Sequence, residues 1–387
     1  MDFQYTEKQL ELRREIEEFC LDPDNQRLVR EVEEEGDLYN AHSWELYAKM
    51  VERGWISLNW PEAYGGQGFT PQEMAIFHET LAYYGMPVTG LILTSLVGNV
   101  IAYFGSEELK KEFLPRVARG ELLLCLLYTE ADAGSDLASL KTRAEEDGDD
   151  YIINGAKIFT SLGHEAHYGL MAARTDPEAP KREGVSLFMV PMDAEGVGVN
   201  PMYTMGDGQV NEEVFADVRV PRRYMIGEKN KGWTVLTMAL GLERGAVAGI
   251  SAQGKRFYHE LVALVKENGL DSDPVVRQKL AQMEIELEVS ELMNWHFTSL
   301  LSRGEVPVME AAMAKLYSSE AMRRMANEVM NILGFAGLLK RGSEGAPLGG
   351  LPEYLYQIVT MVVVGAGSTE IMQRIIARGG LGLPVLG

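Results

Sequence analysis

The spacing of apolar residues changes character twice along this 387-residue chain, and each change sets a different kind of element. Up to about residue 119 the spacing is helical. Leu10, Leu12, Ile16 and Phe19 make a stripe behind Thr6 and Gln9, which stand in capping-box spacing. Further helical stretches cover 43–53, 71–84 and 106–119, parted by Pro61-Glu62-Ala63-Tyr64-Gly65-Gly66 and Gly85-Met86-Pro87. From Leu122 the runs LLLCLLYT, YIINGAKIFTSL, HYGLMAART, VSLFMVPM and EVFADVRVP are short, apolar or alternating, and bounded by Gly, Asp or Pro, which predicts strands. Helical spacing returns from Gly232 through 233–266, 274–303, 308–333 and 351–378, four long helices suited to a bundle. The chain therefore reads as α+β, mainly α: a helical domain over 1–121, a β-sheet domain over 122–231 and a four-helix bundle over 232–387. The glycine-rich stretch 342–350 is expected to be an exposed loop.

Charge narrows the function classes. Against 36 basic residues stand 57 acidic ones, a formal charge of −21 that repels phosphate backbones and anionic lipid surfaces. An anionic ligand would need positive charge or backbone N–H groups concentrated locally. Cys20 and Cys125 lie far apart without metal-ligand spacing, so neither a disulfide framework nor a metal site is expected. No uninterrupted apolar run approaches the ~20 residues that cross a bilayer, and the first residues form an acidic amphipathic stretch rather than a basic leader. These features lead us to expect a cytoplasmic enzyme without membrane insertion.

Four segments carry a further signal: Trp60-Pro61-Glu62-Ala63-Tyr64-Gly65-Gly66, Tyr128-Thr129-Glu130-Ala131-Asp132-Ala133-Gly134-Ser135-Asp136, Phe215-Ala216-Asp217-Val218-Arg219-Val220-Pro221, and Gly367-Ser368-Thr369-Glu370-Ile371. In this order they resemble the FAD-dependent acyl-CoA dehydrogenase family, whose three domains match the three zones above. The resemblance implies removal of two hydrogens from the Cα–Cβ bond of an acyl-CoA thioester, with hydride transfer to FAD N5 and electrons passed to electron-transfer flavoprotein. It also implies a homotetramer built as a dimer of dimers.

On its own, the segment 129–136 reads equally as a polar turn at a strand end or as a loop whose small residues admit an anion or a flavin edge. By resemblance, Tyr128 and Thr129 stand at the flavin, and Ser135 lies near the FAD pyrophosphate or the CoA end. Phe159 and Ser161 match the strand that flanks the flavin ring, where relatives have tryptophan and threonine; a core aromatic is the other reading of Phe159. Asn331 and Gly334 match a loop that reaches FAD across a subunit interface, and Ser368 and Glu370 match further FAD contacts. The apolar run ending in Gly365-Ala366-Gly367 mimics the opening of a Rossmann unit, but too few residues follow it for the βαβ unit that motif requires.

Ala366 departs from the family, because most relatives carry the catalytic glutamate at that position and alanine cannot remove a proton. A minority branch, including isovaleryl-CoA and long-chain dehydrogenases, supplies the carboxylate from a Glu-Arg pair near the start of the bundle. Glu243-Arg244 stands there. The resemblance makes Glu243 the base and Arg244 an organiser of the carboxylate and the CoA end; the alternative is an ordinary surface ion pair. Ala366 would keep its N–H for the thioester oxygen, with Gly367 beside it, and its small side chain would leave room for a branched or bulky acyl group. A second departure is the absence of the Arg-x-x-Phe-Gly motif; Lys266 or Arg277 could replace its arginine. Two other readings stay open, a partner-dependent or non-catalytic subunit of a heteromer and a flavin oxidase or monooxygenase on the same fold.

Overall fold

The computed structural model describes residues 4–36, 40, 42–243 and 247–384, without the side chains at 35, 240–243 and 247. The first α-helices are α1 (Glu7–Leu21), α2 (Pro23–Glu35), α3 (Trp44–Glu52), α4 (Pro71–Tyr83), α5 (Thr89–Phe104) and α6 (Glu107–Ala118). Strands follow as β1 (Leu124–Leu127), β2 (Arg143–Asp147), β3 (Asp150–Thr160), β4 (Tyr168–Arg174), β5 (Val185–Pro191), β6 (Val197–Tyr203), β7 (Gln209–Pro221) and β8 (Met225–Ile226). The chain then returns to helix as α7 (Gly232–Glu243), α8 (Val247–Glu267), α9 (Pro274–Ser302), α10 (Val308–Leu333), α11 (Leu351–Val364) and α12 (Thr369–Ile375). Caps begin several of them as the sequence requires. Thr6 and Gln9 close the predicted box on α1, their reciprocal bonds being 3.3 and 2.9 Å, and Thr70 with Glu73 does the same for α4.

Two compact units emerge, one from 1–29, 70–86 and 243–387, the other from 30–69 and 87–242. The early helical segment, continuous in sequence, is thus shared between them. In the first unit α4 packs on α8 and α9, α1 packs on α4, and α10 packs on α8, α9, α11 and α12. Its core meshes Phe257, Leu261 and Val265 of α8 with Met283 and Leu287 of α9 and with Met322, Met325 and Val329 of α10. These positions follow helical spacing, so burial of one face per helix supplies most of the stabilisation.

The stretch 351–378 is not one helix. Gly365 is extended, Ala366 has φ +53° and Gly367 has φ +101°, which ends α11 and turns the chain into α12. Residues 347–380 are apolar enough to cross a bilayer, but this break leaves the 14 residues of α11 as the continuous helix, about 21 Å at 1.5 Å per residue against about 30 Å of hydrocarbon. The expected loop at 342–350 is exposed over 342–345. It then folds down through the 3₁₀ turn Pro347–Gly350, which buries Gly350.

In the second unit the strands form one sheet in the order β6-β7-β3-β2-β4-β5-β8, with β1 parallel to β4. β5 is buried on both faces, as its apolar run, interrupted once by Ser186, predicts, and α5 packs on β1. β3 pairs antiparallel with β7 and slips register twice, between Ile153 and Gly155 and between Ile158 and Thr160. Phe159 occupies the second slip.

Candidate active site

The sheet unit presents a loop fixed from below by a buried ion pair. After β1, the carbonyl of Thr129 accepts the Ile158 N–H at 2.9 Å, tying the loop to β3. The Glu130 carboxylate then turns inward, 8 % exposed, and meets the fully buried Lys157 ammonium at 2.8 Å. It also accepts the N–H groups of Lys141 at 2.6 Å and Thr142 at 2.9 Å, while Lys157 donates to the Tyr128 carbonyl at 3.1 Å. Burial works to raise the Glu130 carboxyl, but the Lys157 charge and these donors outweigh it and hold the group below the usual carboxylate range. Burial pulls Lys157 down to about 8, with Glu130 opposing. Tight backbone bonds between Glu130 and Ala133 close the turn at 3.1 and 3.2 Å. Gly134 and Ser135 stand exposed beyond it, their N–H groups without acceptors among the described residues. A phosphate or other anion fits such a pair of donors.

Tyr128 is buried and Thr129 half-buried beside this loop. Phe159 is 60 % exposed, which rules out the core-aromatic reading; its φ of +63° at the register slip turns the ring out of the sheet. Ser161 follows, half-buried. Two of the four quoted segments are structural. Gly65 and Gly66 fold back on the buried Trp60, where a Cβ on Gly66 would meet the Trp60 carbonyl oxygen at 1.7 Å, and Arg219 of β7 pairs with Asp147 and Asp150 at 2.6 and 2.9 Å.

In the helical unit the turn between α11 and α12 is held by a buried cation. Lys315 of α10, 1 % exposed, donates to the Val363 carbonyl at 3.2 Å and the Gly367 carbonyl at 2.7 Å, one on either side of Ala366. Ala366 is exposed, and the N–H groups of Ala366 and Gly367 have no acceptor among the described residues. Left-handed backbone at an alanine costs about 1 kcal/mol, which the two carbonyl bonds help to offset. Ser368 caps α12 by accepting the Ile371 N–H at 3.4 Å, and Thr369 donates to Glu320 at 2.7 Å. Glu370 is fully exposed; its own backbone N–H and the Ser368 hydroxyl hold its carboxyl below the usual range. Asn331 and Gly334 lie exposed at the end of α10, beside Phe335 at 92 % exposure. Glu243 closes α7, but its side chain and the whole of Arg244 lie outside the described residues.

Sequence reasoning passed over Glu130, Lys157 and Lys315. Each left a signal: Lys157 stands in an apolar strand, and Lys315 follows Ala311-Ala312-Met313-Ala314 on a helix face that should be buried. Among the described residues no group of three His, Cys, Asp or Glu is placed to hold a metal, and both cysteines are free and buried.

Comparison with known proteins covers nearly the whole chain. Three family models match: acyl-CoA dehydrogenase N-terminal domain over 6–121, middle domain over 125–218 and C-terminal domain over 230–381. Acyl-CoA dehydrogenase FadE26 of Mycobacterium tuberculosis is 36 % identical over 400 residues, covering 99 % of each chain. A solved structure described as Tcur3481-Tcur3483 steroid ACAD is 35 % identical, with a TM-score of 0.92 over 100 % of both chains. The ChsE4-ChsE5 complex from Mycobacterium tuberculosis is 32 % identical, with a TM-score of 0.84 over 100 % of both chains.

Proposed function

The chain belongs to the acyl-CoA dehydrogenase family and is an FAD-dependent oxidoreductase, and from that premise we propose that it oxidises a bulky, branched or steroid-type acyl-CoA with Glu243 as the base. The observation that carries this reading is the turn at Ala366, where the position usual for the base holds a methyl group and an N–H with no acceptor among the described residues, while a glutamate ends α7.

The residues fit the cofactor. The N–H groups of the exposed Gly134 and Ser135 suit its pyrophosphate or the CoA phosphates, Thr129 and Ser161 supply hydroxyl donors, Tyr128 and Phe159 supply aromatic surface, and Asn331, Gly334, Ser368 and Glu370 offer polar contacts. Bound FAD supplies the hydride acceptor. The chain's own part is to orient the thioester, receive the α proton on the Glu243 carboxylate, and offer the Ala366 N–H to the thioester oxygen as charge develops there. Arg244 is proposed to steer that carboxylate and Gly367 to line the same turn. The methyl group of Ala366 leaves space that a glutamate would fill, which supports a bulky acyl group, as does likeness to a protein described as a steroid ACAD. Electron-transfer flavoprotein as acceptor, a homotetramer and a cytoplasmic location complete the proposal.

A second reading is pairing with a related chain, because two of the similar structures carry paired names. Anaerobic titration of the purified holoenzyme with short, medium, branched and steroid-type acyl-CoAs tests both readings. Bleaching of the flavin by a branched or steroid-type thioester, and not by short linear ones, is the expected result. Bleaching by none, but by one of them after co-expression with a second family member, would replace the homomeric reading with the paired one. A preference for short linear thioesters would remove the substrate proposal.

A further inference from the structure

β7 carries two fully buried polar side chains that the reaction does not use, Asn211 and Glu213. Both reach across to the end of β3. Asn211 Nδ2 donates to the Thr160 carbonyl at 3.0 Å, and the Thr160 hydroxyl donates to Glu213 Oε2 at 2.5 Å. Thr160 itself is 3 % exposed, so this contact is closed to water. The segment so held, 159–162, contains two non-glycine residues in left-handed backbone, Phe159 at φ +63° and Leu162 at φ +57°. Such a conformation persists where its surroundings over-determine it. Here the surroundings are the register slip opposite Asn211 and the two side chains bonded to Thr160.

The other oxygen of Glu213 has no hydrogen-bond partner among the described residues. It faces Gly163, where an added Cβ would come within 2.1 Å of Oε1, so the chain passes directly over the carboxyl and a side chain there would push it aside. A neutral carboxyl can live there, but an ionised one would leave a buried charge with one oxygen bare, which is strongly unfavourable.

The groups around it do not supply the missing charge. Lys157 is the cross-strand neighbour of Glu213, but its ammonium is committed to Glu130. Glu212 adds repulsion beside it on β7. On β1, burial and then Glu213 push the Cys125 thiol well up. His164 of the following loop faces Asn211 at 3.1 Å and Glu165 at 3.7 Å.

We infer that Asn211 and Glu213 are positioning residues for the flavin-facing turn 159–162, and that a proton on Glu213 keeps this turn in its binding conformation. The inference rests on the reading that places Phe159 and Ser161 at FAD. Burial pushes the Glu213 carboxyl up to about 7, with Glu212 adding to it and the Thr160 hydroxyl opposing, so the proton is held and released within the working range. Because the folded value lies above the unfolded one, the stabilisation is complete below about 4.5 and is lost as pH rises through about 7.

The test uses the holoenzyme. Its flavin absorbance spectrum and FAD dissociation constant are followed from about pH 5.5 to about 8.5, for wild type, Glu213→Gln, Gly163→Ala and Ser161→Ala. Expected is a single step near pH 7 in the wild type, with FAD held about tenfold less tightly above it, one pKa unit of differential interaction. Glu213→Gln, uncharged and of the same shape, removes the step and keeps the low-pH spectrum. Gly163→Ala gives the high-pH spectrum at every pH. A wild type with no step, or a step that survives in Glu213→Gln, overturns the inference while leaving the flavin assignment intact. A Ser161→Ala spectrum identical to wild type would instead remove the placement of the flavin and, with it, this inference.

Discussion

Isolating the Lys157 ammonium would strand a fully buried charge. It has no exposure, and one carboxylate, Glu130, neutralises it. Glu130→Ala should therefore cost about 3–5 kcal/mol, the usual penalty for stranding a buried charge. Thermal unfolding would measure it, and Lys157→Met in the same chain should restore part of the loss because the stranded charge is gone. The pair also sets a pH dependence. Glu130 titrates below its ordinary 4.5 in the folded chain, so its contribution is present at neutral pH and disappears as pH falls through the folded value. A Glu130→Ala protein as stable as the wild type would show that water reaches Lys157. Glu130 lies inside a segment legible as a family signature and Lys157 two residues before Phe159, yet their pairing was not legible, because nothing in a one-dimensional pattern says that the strand end and β3 share a buried face.

At the scale of elements, periodicity located α4, α6, α9 and α10 to within two residues of their observed bounds. It located the last helix less well. Residues 351–378 keep helical apolar spacing on both sides of the glycines, and that spacing alone does not reveal that 365–368 leave the helix. Three-dimensional contacts decide it: Lys315, one helix away in space, draws the Val363 and Gly367 carbonyls to itself and holds the strained Ala366 between them. Lys315→Met should free that turn. The expected outcome is a fall in kcat of about ten- to a hundredfold, the scale of a misplacement near 1 Å, with FAD content retained and exchange of the substrate α proton slowed in parallel. Lys315→Arg should recover part of it. Equal proton exchange in Lys315→Met and wild type would contradict the role assigned to this turn.

At the scale of the molecule, the switch from helical to alternating to helical spacing gave the fold class, and the match of three family domains follows the same order. The compact units follow a different division, since α1 and α4 pack with the C-terminal helices rather than with their neighbours in sequence. That sharing depends on which faces meet, which chain order does not encode. The charge of −21 offers no general attraction for an anionic thioester, so the proposed function needs local donors, the role it gives to the backbone N–H groups of Gly134, Ser135 and Ala366. The family resemblance also carries the proposed base: alanine occupies position 366, and the proposal assigns the proton removal to Glu243 instead. Rapid anaerobic mixing of wild-type and Glu243→Gln holoenzymes with the acyl-CoA that bleaches the wild type tests this directly. Glu243→Gln is expected to retain FAD and bind the thioester but to reduce its flavin at least about 10²-fold more slowly, the scale of losing a positioned base. Flavin reduction at the wild-type rate in Glu243→Gln would contradict it and move the base to another residue.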